Sequence, residues 1–290
     1  PIIDCKQRLF VLLAGRPAPN SNGQDTYQDA VDEATRLLAF HGETASGDGR
    51  RGAFKAVSTG ESFGGGQQRP GNLLNSKVNA TICAAMLASW AFRRIVGFSN
   101  GLYQSYAPNL HRFYRDQITL LRKSASYLSP LFPIALSVFA ACTFNFGPST
   151  VCLPHVDAAN LAWGWCCITA LGNFDPDMGG HLIWWDLNLV IRFPPGSTIF
   201  IPSALLRHSN VGIQQGENRY SFTQYTAGGL FRWAYNGNCS DKTFLKDATN
   251  EARQMREDDR AQRWENGLRM FQVWNTETAS FEEQVGPSVA

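Results

Sequence analysis

What this sequence lacks narrows it first. No apolar run reaches the roughly 20 residues that a membrane helix needs: the longest, about 131–146, is broken by Pro133 and takes in the polar Asn145. A soluble chain with no membrane partner is therefore expected. No Cys-x-x-Cys pair occurs among the 7 cysteines (Cys5, Cys83, Cys142, Cys152, Cys166, Cys167 and Cys239). An odd set without paired spacing argues against a zinc knuckle and a disulfide framework, and leaves reduced thiols as the expectation. Nothing at the N-terminus resembles a secretory signal, so the sequons Asn79-Ala80-Thr81 and Asn238-Cys239-Ser240 read as coincidences. The chain opens at Pro1 rather than at a methionine, from which a trimmed or processed chain is expected. No internal repeat is visible, which excludes solenoids and arrays.

What is present suits one large folded unit. The chain has 290 residues, 44% of them hydrophobic, enough for a sizeable core. The net charge of +2 is unevenly spread: residues 1–125 hold 15 Lys/Arg against 9 Asp/Glu, 126–240 hold 4 against 5, and 241–290 hold 7 against 10. The front third could present a basic face to phosphate, although a mixed, solvated surface gives the same count.

Along the chain, Arg8–Gly15 reads as a buried strand stopped by Gly15, Pro17 and Pro19. Asp25–Phe40 carries Tyr27, Val31, Ala34, Leu37 and Leu38 at helical spacing with Asp25 as cap. Gly47–Gly71 is a glycine- and arginine-rich loop (Arg50, Arg51, Lys55, Arg69) suited to lining a site or following a phosphate backbone. Within it, Gly60-Glu61-Ser62-Phe63-Gly64 fits the nucleophile-elbow pattern of serine hydrolases. The glycines and proline that follow cannot sustain the helix an elbow requires, so that reading is set aside. Helices are expected over Asn75–Phe98 and Asn109–Leu128, with a break over Gly97–Pro108. Arg93, Arg94, Arg112, Arg115, Arg122 and Lys123 are read as solvated. From Leu136 onward, short aromatic and β-branched segments predict strands near 136–146, 163–170, 180–185, 188–193, 197–201, 204–209 and 219–226. They argue for a sandwich or jelly roll with the helices on one outer face. Lys242–Trp274 reads as a helix anchored by Phe244, Leu245, Met255, Trp264, Leu268 and Phe271, followed by a loose tail. Three regions of one integrated unit follow: 1–135, helical and glycine-rich; 136–235, the β core; 236–290, a C-terminal helix and tail.

The chemistry concentrates between His155 and Tyr225. His155 and Asp157 stand two apart, which puts them on one side of an extended chain, and His208 follows later. Two histidines and a carboxylate can hold a non-haem Fe(II) on one face and leave the opposite positions open for an oxoacid and dioxygen. Arg219-Tyr220-Ser221 sits on the next expected strand, where the guanidinium and the hydroxyl suit the far carboxylate of 2-oxoglutarate. With five histidines in the chain, a bare H-x-D and a later His is a weak signal; the Arg-x-Ser that follows strengthens it.

These residues carry a resemblance. His155-Val156-Asp157-Ala158-Ala159-Asn160, His208-Ser209-Asn210 and Arg219-Tyr220-Ser221-Phe222-Thr223-Gln224-Tyr225 resemble the TET and J-binding-protein family of DNA-modifying 2-oxoglutarate dioxygenases, in wording nearest to its compact fungal members. The resemblance implies an α+β fold with a double-stranded β-helix (jelly roll) core. It implies that His155, Asp157 and His208 bind Fe(II), that Arg219, Ser221 and His181 hold 2-oxoglutarate, and that Asn160 and Tyr225 contact and stack on a flipped base. The implied activity is O2-dependent oxidation of methylated bases in double-stranded DNA, chiefly 5-methylcytosine to its hydroxymethyl, formyl and carboxyl forms. A monomer acting in the nucleus is expected. Two departures matter. Ala227 stands where vertebrate members place a base-reading histidine, which opens N6-methyladenine as a second substrate, and the vertebrate cysteine-rich zinc region is missing. AlkB-type enzymes, which resemble the same pattern, carry a second arginine where this chain has Tyr225. The alternatives are an oxygenase acting on another nucleic acid or a small molecule, and an inactive jelly-roll DNA-binding protein.

Overall fold

The computed structural model describes residues 1–47, 49–275, 277, 278, 280 and 281. In chain order the elements are β1 (Ile2–Ile3), β2 (Leu9–Gly15), α1 (Thr26–Thr44), β3 (Lys55–Ser62), β4 (Gly71–Asn72), α2 (Lys77–Ala88), α3 (Trp90–Tyr106) and α4 (Pro108–Ser124). There follow β5 (Ala141–Phe146), β6 (Cys166–Asn173), β7 (Leu182–Trp184), β8 (Leu189–Ile191), β9 (Thr198–Ile201), β10 (His208–Asn210), β11 (Asn218–Tyr225), α5 (Gly228–Tyr235), α6 (Asp241–Asp247), α7 (Asn250–Leu268), β12 (Trp274–Asn275) and β13 (Ser280–Phe281). A large sheet runs β1-β2-β9-β6-β11-β5-β3-β4, and a small one runs β10-β7-β8. This is the α+β, double-stranded β-helix core that the resemblance implies, and of the sandwich and jelly roll left open by the strand pattern it is the jelly roll.

Strand alternation decides which face is which. On β5, Cys142, Phe144 and Phe146 join Tyr220 and Phe222 of β11 in a core shared with Tyr27, Val31 and Leu38 of α1 and Phe92, Ile95 and Val96 of α3. Phe92 meets Phe144 and Phe222 edge-on, with ring centroids 5.1 and 5.2 Å apart. Burial of each such ring contributes about 1.5–3 kcal/mol. The intervening residues face the other way, toward the small sheet. There Cys166, Ala170, Leu182, Trp184, Phe193, Ile199 and Ile201 close an inner core, which leaves the polar members of β5 and β11 around a cavity.

The helices depart from expectation in three places. The first long stretch is two helices, because Ser89 takes extended backbone angles, ends α2 and caps α3 by accepting from Ala91 N at 3.2 Å. The break expected over Gly97–Pro108 is absent. Gly97 and Gly101 lie inside α3, Ala107 alone separates it from the next helix, and Pro108 starts α4, where a missing N–H costs nothing. In the C-terminal region the helix expected over Lys242–Trp274 is two, α6 and α7, ending at Leu268, and Leu245, Met255 and Trp264 are 50%, 66% and 45% exposed, so they are not anchors. The end of α7 packs through Gly267 against Trp163 and through the buried Phe271 beyond it, while its body meets α5 and α6 through charged side chains, Asp259 accepting from the Tyr235 hydroxyl at 2.6 Å and Arg256 lying over the Phe244 ring. The expected loose tail lies largely outside the described residues. Among the described residues no single helix is long and apolar enough to cross a membrane.

The glycine-rich loop is also interrupted, since β3 runs through it and pairs with β5 from Lys55↔Phe146 to Gly60↔Ala141. Gly60 is required there, because its φ of 115° is left-handed and a Cβ would strike the backbone of Ala140. Next to it, Glu61 is fully buried and takes Arg122 of α4 in a two-pronged contact, Nε to Oε1 at 2.8 Å and Nη2 to Oε2 at 3.0 Å. Arg122 is therefore a structural counter-ion and not a solvated charge. Removing it strands a buried carboxylate, so Arg122→Ala should lower the free energy of unfolding by about 3 kcal/mol or more. Urea denaturation measures this, and Arg112→Ala on the solvated face of the same helix should stay within about 0.5 kcal/mol.

Candidate metal and dicarboxylate site

The cavity has a volume of about 400 Å³ and opens between the two sheets. Its floor is built by register. Ser58 of β3 pairs with Thr143 of β5, which pairs with Thr223 of β11; one step along, Ala56, Asn145 and Ser221 form a second row. All six residues line the cavity. Ser58 Oγ lies 2.7 Å from Thr143 Oγ1, Thr143 donates to the Tyr225 hydroxyl at 3.3 Å, and Asn145 Nδ2 donates to Ser221 Oγ at 2.9 Å. Burial raises the Tyr225 phenol pKa and keeps it neutral.

At one wall His155, Asp157 and His208 come together, with their donor atoms all within 4.8 Å of one another. The two histidines are joined by the backbone: His155 N donates to His208 O at 3.0 Å and His208 N to His155 O at 2.9 Å. Each ring is then oriented by its own chain, His155 Nδ1 to Leu153 O at 2.7 Å and His208 Nδ1 to Leu206 O at 2.8 Å. A carbonyl can only accept, so both Nδ1 atoms carry the proton and both Nε2 lone pairs are free to bind a metal. Burial, and then the neighbouring His208, push the His155 pKa down to about 4. The ring is neutral at physiological pH, and its 3.8 Å approach to Asp157 is a pair of donor atoms rather than an ion pair. Asp157 is placed by its N–H on Ser203 O at 2.8 Å, and its carboxylate takes the guanidinium of Arg51.

Farther inside, Arg219 is 3% exposed. Its Nη1 donates to Thr150 Oγ1 at 2.8 Å and to Thr150 O at 2.9 Å, while its buried Nε finds no partner. Among the described residues no carboxylate pairs with it. Desolvation pulls its pKa down to about 10, which leaves it charged. An unpaired buried cation beside Ser221 demands an anion. Asn210 links the two halves of the site: its Nδ2 donates to Thr150 O at 2.9 Å, and its Oδ1 accepts from Cys152 N at 2.8 Å.

The structure thus gathers His155, Asp157, His208, Arg219, Ser221, Asn160 and Tyr225 around one cavity. Asn160 lies at the rim, with Nδ2 on Ser203 Oγ at 3.1 Å and its backbone bridged to that of Ala227. His181 is not brought in. Leu182 lines the cavity instead, and alternation along an extended chain turns the preceding residue away. Arg51, Thr150, Asn145 and Asn210 are participants that residue type alone did not single out. The arginine content of the 47–71 loop pointed toward Arg51 as one of a group; the other three carry no charge and no pattern.

Fold and donor set together define a double-stranded β-helix protein with a facial His-Asp-His triad, a set that fits Fe(II), and a buried arginine suited to 2-oxoglutarate. No protein-family model matches the sequence, and no curated protein matches it. Among solved structures the chain is similar to NgTET1 in complex with 5mC DNA, at 16% identity and a TM-score of 0.50 over 70% of this chain and 69% of that one. A 2OG-Fe(II) oxygenase-family oxidoreductase from Burkholderia pseudomallei also matches, at 17% identity and a TM-score of 0.39 over 75% and 85%. So does OsALKBH1, at 14% and 0.35 over 69% and 93%. The likeness to NgTET1 is one of fold.

Cobalt(II), a spectroscopic stand-in for Fe(II), should bind one equivalent and develop ligand-field absorption. His208→Ala should abolish those bands, whereas Arg219→Ala should keep them. Retention of the bands in His208→Ala would remove the triad.

Proposed function

We propose that this protein is an Fe(II)- and 2-oxoglutarate-dependent dioxygenase that oxidises methylated bases in double-stranded DNA, as a compact TET-like enzyme. One observation carries the reading: a buried, charged Arg219 without a carboxylate partner among the described residues shares a cavity with a metal-competent His-Asp-His cluster. When bound, the iron and 2-oxoglutarate supply activation of dioxygen and oxidation of a C–H bond.

The chain's own residues supply position and exclusion. His155, Asp157 and His208 hold the metal on one face. Arg219 and Ser221 grip the distal carboxylate of 2-oxoglutarate, with Thr150 and Asn145 fixing the gripping groups. The sheet floor and the inner core keep water from that end. A methyl group inside a stacked duplex cannot reach a metal at this depth, so the nucleotide turns out into the cavity. Tyr225 offers an aromatic face and Asn160 a polar edge for the base. Ala227, 5% exposed on the same wall, leaves room for a purine. 5-Methylcytosine is the principal substrate and N6-methyladenine a second. The excess of basic residues in the front third, the exposed Arg50 and Arg51 at the cavity and the DNA in the NgTET1 structure support a nucleic-acid substrate. A DNA substrate implies a nuclear site of action, and the proposed active form is a monomer.

Incubation with Fe(II), 2-oxoglutarate and duplexes bearing either 5-methylcytosine or N6-methyladenine, then digestion to nucleosides and mass spectrometry, should show oxidised 5-methylcytosine with matching succinate. No oxidised base with either duplex overturns the substrate assignment, and no succinate at all overturns the oxygenase. Arg219→Ala should raise the 2-oxoglutarate concentration needed for half-maximal rate by about 30-fold or more, as expected for losing one partner of a buried charge pair.

A further inference from the structure

Among the described residues that line the cavity are three arginines, Arg50, Arg51 and Arg219, and a single carboxylate, that of Asp157. An imidazole brings no negative charge, so Asp157 alone gives the donor cluster one. Arg51 takes it. Its Nη2 contacts Asp157 Oδ1, the same oxygen that lies 3.8 Å from His155 Nε2. The guanidinium therefore sits on the oxygen that a metal bound by His155 would share. A built turn holds it there. Gly49 N donates to Phe54 O at 2.7 Å, Phe54 N to Gly52 O at 3.0 Å and Gly52 N to Gly49 O at 3.2 Å, which folds residues 49–54 on themselves. The turn docks on the segment that leads to His155: Leu153 N donates to Arg51 O at 2.6 Å, and a Cβ on Gly52 would lie 2.0 Å from Val151 O. Only glycine allows that approach.

The consequence is electrostatic. A carboxylate shared with a permanent cation attracts a dication less than a free one does, and the dication also meets that cation as a neighbour of like sign. The Arg51 side chain is 49% exposed, so water screens part of the repulsion and the guanidinium has room to yield. We infer that Arg51 holds the His155–Asp157–His208 cluster below its full affinity for a divalent cation, so that the metal stays exchangeable. Arg51 acts through Asp157 and is a positioning residue. This rests on the reading of the three residues as metal ligands, and on neither the substrate nor the oxidation.

Cobalt(II) titrations followed by ligand-field absorption, without 2-oxoglutarate, DNA or turnover, test this. Arg51→Gln keeps hydrogen-bond donors but removes the charge, and should tighten cobalt(II) binding by about tenfold. Arg51→Lys keeps the charge and should stay within about threefold of the native protein. Arg192→Gln takes an equal charge from a surface pair with Asp177, and should stay within about twofold. A disturbed fold weakens binding, so it cannot mimic the expected gain. Unchanged binding by Arg51→Gln overturns the inference, and so does weaker binding, which marks Arg51 as a prop for the carboxylate. An equal gain in Arg51→Lys or in Arg192→Gln overturns it as well, since the cause is then not the charge on Asp157. Absence of cobalt bands from the native protein and from Arg51→Gln alike refutes the metal reading of the cluster, and this inference with it.

Discussion

The period-two alternation of β11 is the constraint on which the rest of the structure depends. Tyr220 and Phe222 enter the core under α1 and α3, while Arg219, Ser221, Thr223 and Tyr225 line the cavity. A slip of one residue would exchange the two sets, placing a guanidinium among phenylalanines and a phenylalanine in the polar cavity. The slip is prevented on both sides, because β11 pairs with β5 through five residues and with β6 through seven. The apolar packing on the helix face therefore holds the polar face in register, and the burial of Phe144 and Phe222 is as much a condition of the chemistry as Arg219 itself.

From that register the two halves of the site follow. The deep half is cationic and calls for an anion to neutralise it. The outer half holds two imidazoles and a carboxylate, the rings oriented by carbonyls of their own chain and by the mutual pairing of His155 with His208. Arg51 reaches Asp157 from the segment before β3, so the basic loop and the donor cluster share a charge. The carboxylate is never left uncompensated in a half-buried position, where an isolated charge is costly.

Much of this was legible in the sequence. Short β-branched and aromatic segments locate the strands because a half-buried strand has a period of two, and His155, Asp157 and His208, a weak signal by themselves, become legible through the Arg219 and Ser221 that follow them in order and through the family resemblance. Less was legible where tertiary contact overrides local preference. Gly97 and Gly101 weaken a helix in isolation, yet α3 continues through them, since its packing on α1 and the sheet outweighs the loss of about 1 kcal/mol that each glycine imposes. Arg122 looks like its exposed neighbours until Glu61, 61 residues away in the chain, is seen beneath it. His181 is assigned by the resemblance alone, and which face it occupies depends on register, which the sequence leaves open. Thr150, Asn145 and Asn210 act through neutral hydrogen bonds, and such roles have no compositional signature.

Asn210 has a kinetic meaning as well. It clamps Thr150 and Cys152 from 60 and 58 residues away, and Thr150 in turn holds Arg219 across 69 residues. Contacts of that span, like the still longer-range pairings of the sheet itself, form only as the chain closes into the β core. Until then the two histidines, the carboxylate and the arginine are scattered along a chain with no pocket. A nascent or partly unfolded molecule thus lacks a complete coordination site, and the fold assembles the metal-competent cluster together with the walls that enclose it.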